Sequence, residues 1–174
     1  MAGGRRGGPF GGTTGAAVTR GSSDVITVAL CDDLVDLREL FREVLEEAGM
    51  DVVGEADDGR AAIELAAALR PDVLVLDLEM PVMDGFEAIP RVRERAPQTA
   101  IVVLSAFSAA AMAEKALEAG AHSYLEKGAR LSTIIDTVRE AAAAIRRPGV
   151  QRQSGRVKRT TAPGSASSIH SFPP

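Results

Sequence analysis

The sequence predicts an α/β protein: a doubly wound, five-stranded parallel sheet with helices on both faces, arranged in three layers. Between residues 24 and 147, short apolar runs alternate with longer segments in which apolar residues recur every three or four positions, as in strands and amphipathic helices. Several runs are unbroken Val, Leu and Ile, which is typical of parallel strands buried on both faces. Strict alternation of strand and helix indicates right-handed crossovers, so consecutive strands should be parallel.

The predicted strands follow in order along the chain, over residues 25–30, 51–55, 73–77, 100–104 and 123–126. A helix follows each strand. The first helix is expected to stop at Gly49 and the second at Pro71, since glycine and proline end helices. The third contains Pro90, which lacks an N–H and would clash with the carbonyl of Phe86, so this helix should be kinked or begin late.

Apolar residues at helical spacing indicate which side of each helix packs on the sheet. The fourth helix, near residues 109–119, is mostly alanine with Met112 and Leu117, so its attachment should be weak. In the first, second and fifth helices, the predicted sheet-facing residues are Leu37, Leu40, Phe41, Val44, Leu45 and Ala48; Ala62, Leu65, Ala66 and Leu69; and Leu131, Ile134, Ile135, Val138 and Ile145.

Charge is distributed unevenly along the chain. All 24 Asp and Glu residues lie between Asp24 and Glu140, whereas nine of the 20 Lys and Arg residues lie outside that segment. The predicted domain, residues 24–147, is therefore acidic, which argues against nucleic-acid binding by the domain itself. Residues 1–23 are Gly-rich and residues 148–174 form a basic, Ser/Pro-rich tail; both are expected to be disordered, because they have little to bury. The tail either contacts nucleic acid or an anionic membrane or, as the simpler interpretation, only adds solubility.

Two general features exclude other classes of protein. No apolar run reaches the length of about 18 residues that a membrane-spanning helix needs, and the N-terminal segment lacks the apolar stretch of a secretory signal. We therefore expect a cytoplasmic protein with no membrane span. Cys31 is the single cysteine, so it cannot form an internal disulfide, and it is most simply a buried residue at a strand end.

Polar residues stand where four of the predicted strands end. Asp32 and Asp33 follow the first strand, and Asp77 ends the third. Ser105 follows the fourth strand and Lys127 the fifth. Each has an ordinary explanation on its own: a helix cap, a loop carboxylate or a solvated charge. Because the carboxyl ends of parallel strands meet at one edge of the sheet, where ligands bind in doubly wound folds, we expect these residues to form a site.

Negative charge would dominate this site. Three carboxylates about 5 Å apart repel by roughly 3 kcal/mol per pair at an effective dielectric constant of about 20. A cation is therefore expected among them, and the oxygen ligands favour Mg²⁺. With the cation bound, Asp77 would be a carboxylate nucleophile that accepts a phosphoryl group as an acyl phosphate. Lys127 would offset charge on the phosphoryl oxygens, and Ser105 would donate a hydrogen bond to one of them.

These residues stand in the order and spacing of a known family. Over roughly residues 25–145, the chain resembles the receiver domains of two-component response regulators, which have the flavodoxin-like (βα)5 fold of the chemotaxis regulators. The residues that carry the resemblance are the acidic pair Asp32-Asp33, the segment Val75-Leu76-Asp77-Leu78-Glu79-Met80-Pro81 running into Met83-Asp84-Gly85, and Ser105 and Lys127.

The resemblance implies a role for each residue of the acidic cluster. Asp77 would be the phosphoacceptor. Asp33 and Asp77 would bind Mg²⁺ directly, Asp32 would act through a water molecule, and Glu79 would contribute its main-chain carbonyl. Lys127 would pair with the phosphate.

The resemblance also implies a switch and its partners. Ser105 and Tyr124 would form the switch, in which the tyrosine ring turns inward when the serine hydroxyl moves toward the phosphate; Tyr124 is equally explained as a half-buried strand residue. A histidine kinase or phosphotransfer protein would act upstream and a protein effector would bind in trans, with homodimer formation left open. The chain would be a switch and not an enzyme, apart from intrinsic autophosphorylation and autodephosphorylation.

Departures from the family pattern keep alternatives open. Lys127 is followed by Gly128 where many members have proline, and this variant resembles receivers that precede a helix-turn-helix domain. No DNA-binding domain is recognisable in the sequence, so a stand-alone receiver is predicted. A receiver fold that signals without phosphorylation is one alternative. An aspartate-nucleophile phosphohydrolase is another, although such enzymes usually have a second Asp where this chain has Glu79.

Overall fold

A computed structural model describes residues 25–107 and 110–146, so the predicted leader and tail lie outside the described residues. Five strands and five helices alternate along this part of the chain. Their bounds are β1 Thr27–Cys31, α1 Val35–Glu47, β2 Asp51–Ala56, α2 Gly59–Leu69, β3 Val73–Leu76, α3 Gly85–Arg95, β4 Ala100–Ser105, α4 Ala110–Ala119, β5 Ser123–Glu126 and α5 Leu131–Arg146.

The strands form one parallel sheet in the order β2-β1-β3-β4-β5. Its side chains point alternately to two cores. Leu74 and Ile101 face the layer of α2, α3 and α4, whereas Val75 and Val102 face α1 and α5. Every side chain of β3 and β4 is buried, which is why these strands are continuous apolar runs in the sequence. The predicted doubly wound, three-layer α/β/α fold is confirmed.

Three residues of the predicted sheet-facing sets are exposed instead. The exposed fractions of Leu40, Leu69 and Leu131 are 43%, 47% and 43%. Leu69 is the last residue of α2 and Leu131 is the first of α5, while Leu40 flanks the side of α1 that buries Phe41 and Leu45. The predicted faces were wrong at these positions, because helical spacing does not show where a helix ceases to face the sheet.

Helix α3 does not begin late, because it starts directly after its cap residue Asp84 and contains Pro90. Of the two effects expected of this proline, the kink stays a prediction. The Asp84 side chain accepts a hydrogen bond from the backbone N–H of Glu87 at 2.8 Å, which fixes the start of the helix. Pro90 itself is exposed. The hydrogen bond that proline removes therefore lies toward the solvent side of α3, where water can satisfy the carbonyl.

Two further predictions concern burial and membranes. Cys31, at the end of β1, is buried as expected, with 2% exposed. Among the helices of the described ranges, none combines the length and the apolar character that crossing a membrane requires.

Candidate functional site

The sheet order brings the ends of β1 and β3 side by side. The two strands pair in parallel, and beyond them the N–H of Asp77 donates to the carbonyl of Cys31 at 2.8 Å. From these strands the chain continues to opposite sides of the sheet, to β2 on one side and to β4 on the other. A doubly wound sheet opens a crevice beyond its strand ends at such a point, so side chains from both loops can meet there.

Asp32, Asp33 and Asp77 come together at this crevice. One carboxylate oxygen from each residue lies within 4.8 Å of the other two. Asp32 and Asp77 are buried, with 5% and 3% exposed, whereas Asp33 is exposed. The structure therefore assembles the three acidic residues expected from the strand ends, two of them shielded from solvent and one open to it.

Lys127, which follows β5, reaches the same cluster. Its Nζ is 2.7 Å from Oδ2 of Asp32 and 2.9 Å from Oδ2 of Asp77, and its side chain is 14% exposed. Burial alone would lower the pKa of Lys127, but the hydrogen bonds and charges of the two carboxylates outweigh it and raise this pKa. Lys127 is therefore a fixed cation within the cluster and not a solvated surface charge.

Each buried carboxylate also accepts a backbone hydrogen bond. Oδ1 of Asp77 accepts from the N–H of Leu78 at 2.7 Å, and Oδ1 of Asp32 accepts from the N–H of Leu34 at 3.0 Å. Leu34 is the N-cap residue of α1 and has no side-chain cap. The alternative in which Asp32 or Asp33 is only the cap of this helix is therefore wrong.

The charges within the cluster leave Asp77 poorly compensated. Burial raises the pKa of Asp77 above its usual value; Lys127 lowers it and the Asp32 charge raises it, and the net direction is upward. Lys127 pairs with Asp32 and Asp77, and an oxygen of Asp33 lies within 4.8 Å of theirs, so the three carboxylates outnumber the one ammonium. The oxygen ligands and the excess charge together fit a hard divalent cation such as Mg²⁺.

The loop after β3 packs tightly behind Asp77. The N–H of Gly85 donates to the carbonyl of Leu78 at 3.0 Å, so α3 starts directly against the end of the strand. A Cβ on residue 85 would collide with the Asp77 carbonyl oxygen and would lie 2.9 Å from Cα of Leu78. Glycine is required here by this close approach. Glu79 is exposed in the same loop.

Ser105 and Tyr124 are linked through one residue of the β4–α4 loop. Ser105 is fully buried, and its Oγ accepts a hydrogen bond from the N–H of Phe107 at 3.3 Å. The Tyr124 hydroxyl donates to the carbonyl of Phe107 at 2.5 Å, and the ring packs partly against the core beneath α3 and α4. The two residues predicted as a switch thus hold opposite sides of the same backbone segment. The sequence alone did not indicate this link through Phe107.

Arg38, on α1, was also missed. Its Nη1 donates to the backbone carbonyl of Asp32 at 2.5 Å, and its Nε donates to Oε2 of Glu55 at 3.3 Å. One signal for it exists in the sequence, because a basic residue in the first turns of a helix opposes the usual preference for acidic residues there. That signal does not identify the carbonyl that Arg38 binds.

Comparison with known proteins agrees with this arrangement. The family model of the response regulator receiver domain matches residues 28–139. The chain therefore belongs to the receiver-domain family of two-component response regulators. Members of this family are phosphoacceptor switches and typically bind Mg²⁺ at an acidic pocket.

Individual relatives show how this domain is used elsewhere. The chain is 45% identical over 96 residues to the protein-glutamate methylesterase/protein-glutamine glutaminase 3 of Hahella chejuensis, which covers 54% of this chain and 28% of that protein. It is 32% identical over 115 residues to the chemotaxis protein CheY of Thermotoga maritima, covering 66% of this chain and 96% of that protein. The signal receiver domain of the response regulator NarL from Mycobacterium tuberculosis has a similar structure, with a TM-score of 0.65, 37% identity, and coverage of 68% of this chain and 97% of that domain. The match covers 28% of the methylesterase but 96% of the chemotaxis protein, so receiver domains occur both within longer proteins and by themselves. That this chain is a stand-alone receiver therefore stays a prediction.

Proposed function

We propose that this chain is a phosphoacceptor switch in which Asp77 takes a phosphoryl group from a phosphohistidine of a kinase or phosphotransfer protein. The observation that supports it best is the meeting of three carboxylates and Lys127, from three separate loops, at one point of the sheet edge. A structural ion pair needs only two such groups. The excess of carboxylates is unfavourable for stability, so its presence favours a role in binding and chemistry.

Mg²⁺ is the cofactor that the residues fit. Asp33 and Asp77 would bind it directly, Asp32 would act through a water molecule, and Glu79 would contribute its main-chain carbonyl. When bound, the ion supplies positive charge for the phosphoryl oxygens beside Asp77. Asp33 is the exposed member of the cluster and is therefore the carboxylate through which an ion from solvent first makes contact.

In the proposed reaction, a carboxylate oxygen of Asp77 attacks phosphorus and forms the acyl phosphate bond. The N–P bond of the donor breaks, and the histidine nitrogen keeps the electron pair and takes up a proton from solvent. The Nζ of Lys127, already 2.9 Å from Asp77, is placed to pair with the new phosphoryl oxygens. The backbone N–H of Leu78 orients the carboxylate by holding its Oδ1.

The output would follow from the Ser105–Phe107–Tyr124 link. The Ser105 hydroxyl would donate to a phosphoryl oxygen on Asp77 and move toward it, which would draw Oγ away from the N–H of Phe107. The loop that Phe107 belongs to would then move. This movement would release the Tyr124 hydroxyl from the Phe107 carbonyl, so the surface formed by α4, β5 and α5 would change. A protein effector acting in trans, or a second copy of the chain, would bind the changed surface in the cytoplasm.

The test uses the full chain, Mg²⁺ and a small donor such as acetyl phosphate. Intact-mass analysis should show addition of one phosphoryl group that hydroxylamine removes, and the Asp77→Asn variant should show none. Asp51→Asn is the matched control, because Asp51 is an exposed carboxylate at the start of β2, far along the strand from the site. Failure of the wild-type chain to form an adduct with several donors, or equal labelling of the Asp77→Asn variant, would refute the proposal.

A further inference from the structure

Arg38 is a largely buried cation that contacts the backbone of the acidic loop. Its side chain is 13% exposed, although arginine is usually found at the surface. Nη1 donates to the carbonyl of Asp32 at 2.5 Å, so the guanidinium holds the peptide unit between Asp32 and Asp33. Within the described residues, Arg38 forms no hydrogen bond or ion pair with the side chain of Asp32 or Asp33. Its effect on the cluster must therefore pass through the orientation of that peptide.

Glu55 on β2 fixes the guanidinium in turn. Its carboxylate accepts from Nε of Arg38 at 3.3 Å and pairs with Nη2 of Arg42 at 2.5 Å. Burial would raise the pKa of Glu55, but the hydrogen bonds from Arg42 and Arg38 outweigh it and lower this pKa. Glu55 is therefore a stable anion at neutral pH. The result is a chain of contacts from β2 through Glu55 and Arg38 to the backbone of the β1–α1 loop.

The β1–α1 loop is anchored at its start by the N–H of Asp32, which donates to the carbonyl of Ala56 at 3.2 Å, but its helical side depends on the acidic cluster. The N-cap residue of α1, Leu34, has no side-chain cap, and within the described ranges its N–H donates to the Asp32 carboxylate alone. That carboxylate also belongs to the cluster through Lys127. Any rearrangement at the cluster therefore reaches the loop, unless the Asp32 carbonyl is held separately. Arg38 provides this separate attachment.

We propose that Arg38 is a positioning residue that keeps Asp32 and Asp33 arranged for Mg²⁺ through the Asp32 carbonyl. This inference rests on the proposed function, since it concerns the same site. Two physical effects of removing Arg38 have opposite signs, and the experiment can separate them. Loss of its positive charge near three carboxylates would tighten Mg²⁺ binding, whereas loss of the peptide attachment weakens it. Positioning predicts weaker binding.

The experiment compares Arg38→Gln with Arg42→Gln by calorimetric titration of Mg²⁺. Both variants remove one positive charge and one partner of Glu55, but within the described residues Arg42 pairs with Glu55 and Glu46 and makes no hydrogen bond to the acidic loop. We expect the Mg²⁺ dissociation constant of R38Q to rise about tenfold, as for other residues that orient metal ligands, and that of R42Q to change little. A second measurement is made without Mg²⁺. Amide hydrogen exchange at residues 33–36 should be faster in R38Q than in R42Q.

The outcomes separate this inference from the proposed function. If wild-type protein binds Mg²⁺ and is phosphorylated while R38Q binds Mg²⁺ as tightly or more tightly, the positioning role is wrong and the function stands. If wild-type protein shows neither property, the proposed function itself fails. If R38Q does not fold, Mg²⁺ binding is compared between the variants Arg38→Lys and Arg42→Lys, because both retain the positive charge. Weaker Mg²⁺ binding by R38K alone supports positioning, and equal binding overturns it.

Discussion

Lys127→Met removes the cation that two buried carboxylates share. In the wild-type protein, Nζ lies 2.7 Å from Asp32 and 2.9 Å from Asp77. Without it, Asp32, Asp33 and Asp77 still have oxygens within 4.8 Å of one another, and each pair repels by roughly 3 kcal/mol at an effective dielectric constant of about 20. Removal of one partner of a buried ion pair costs about 3–5 kcal/mol. Because Asp33 is exposed, we expect the lower end, a loss of about 3 kcal/mol in the free energy of unfolding.

Urea unfolding followed by circular dichroism measures this loss, first in EDTA and then with Mg²⁺. Mg²⁺ should restore part of the stability of K127M, because an ion that binds only the native state stabilises it. Lys115→Met is the control: Lys115 is exposed, with Nζ 4.2 Å from the centre of the Phe86 ring, and its loss should cost less than about 1 kcal/mol. If K127M is as stable as K115M in EDTA, the electrostatic reasoning about the site is wrong.

The difference in unfolding free energy between wild type and K127M should depend on pH. The pKa of Lys127 is raised in the folded protein, so its stabilising contribution is complete below the usual lysine pKa of about 10.4. The contribution is lost as the pH rises through the raised pKa. The gap in unfolding free energy between wild type and K127M should therefore narrow at alkaline pH. A gap that widens there would contradict the assignment.

Three other substitutions test separate parts of the structure. Gly85→Ala should cost about 2 kcal/mol in urea unfolding and weaken Mg²⁺ binding, because the new Cβ collides with the backbone at the end of β3; unchanged stability would disprove the close approach. Asp72→Asn should cost about 1–2 kcal/mol at neutral pH, since Asp72 accepts hydrogen bonds from Arg146. Burial raises the pKa of Asp72, but the hydrogen bonds from Arg146 and Thr27 outweigh it and lower this pKa. The stabilisation by Asp72 is therefore present above a pH of about 4 and is lost as the pH falls further. A difference in unfolding free energy between wild type and the Asp72→Asn variant that persists in acid would contradict this. Tyr124→Phe removes the bond to the Phe107 carbonyl and should speed hydrogen exchange in the β4–α4 loop, whereas unaltered exchange would show that the bond does not hold the loop.

The acidic cluster could be predicted because parallel strands constrain where distant residues meet. Asp32 and Asp77 are 45 positions apart, yet each directly follows a strand, and such strand ends share one edge of the sheet. Lys127 was found in the same way. What the pattern could not supply was the sharing of its ammonium by both buried carboxylates, because this depends on side-chain conformations across three loops.

The sequence by itself determined the order, type and approximate bounds of the strands and helices, because apolar periodicity is a local property that survives without knowledge of the fold. Only the tertiary structure decided which contacts cross between elements. Arg38 reaches the Asp32 carbonyl because α1 lies against the ends of β1 and β2, and Leu40 is exposed because the same helix turns that side to solvent. Contacts of this kind depend on how a helix sits on the sheet, and no spacing within one segment encodes that angle and distance.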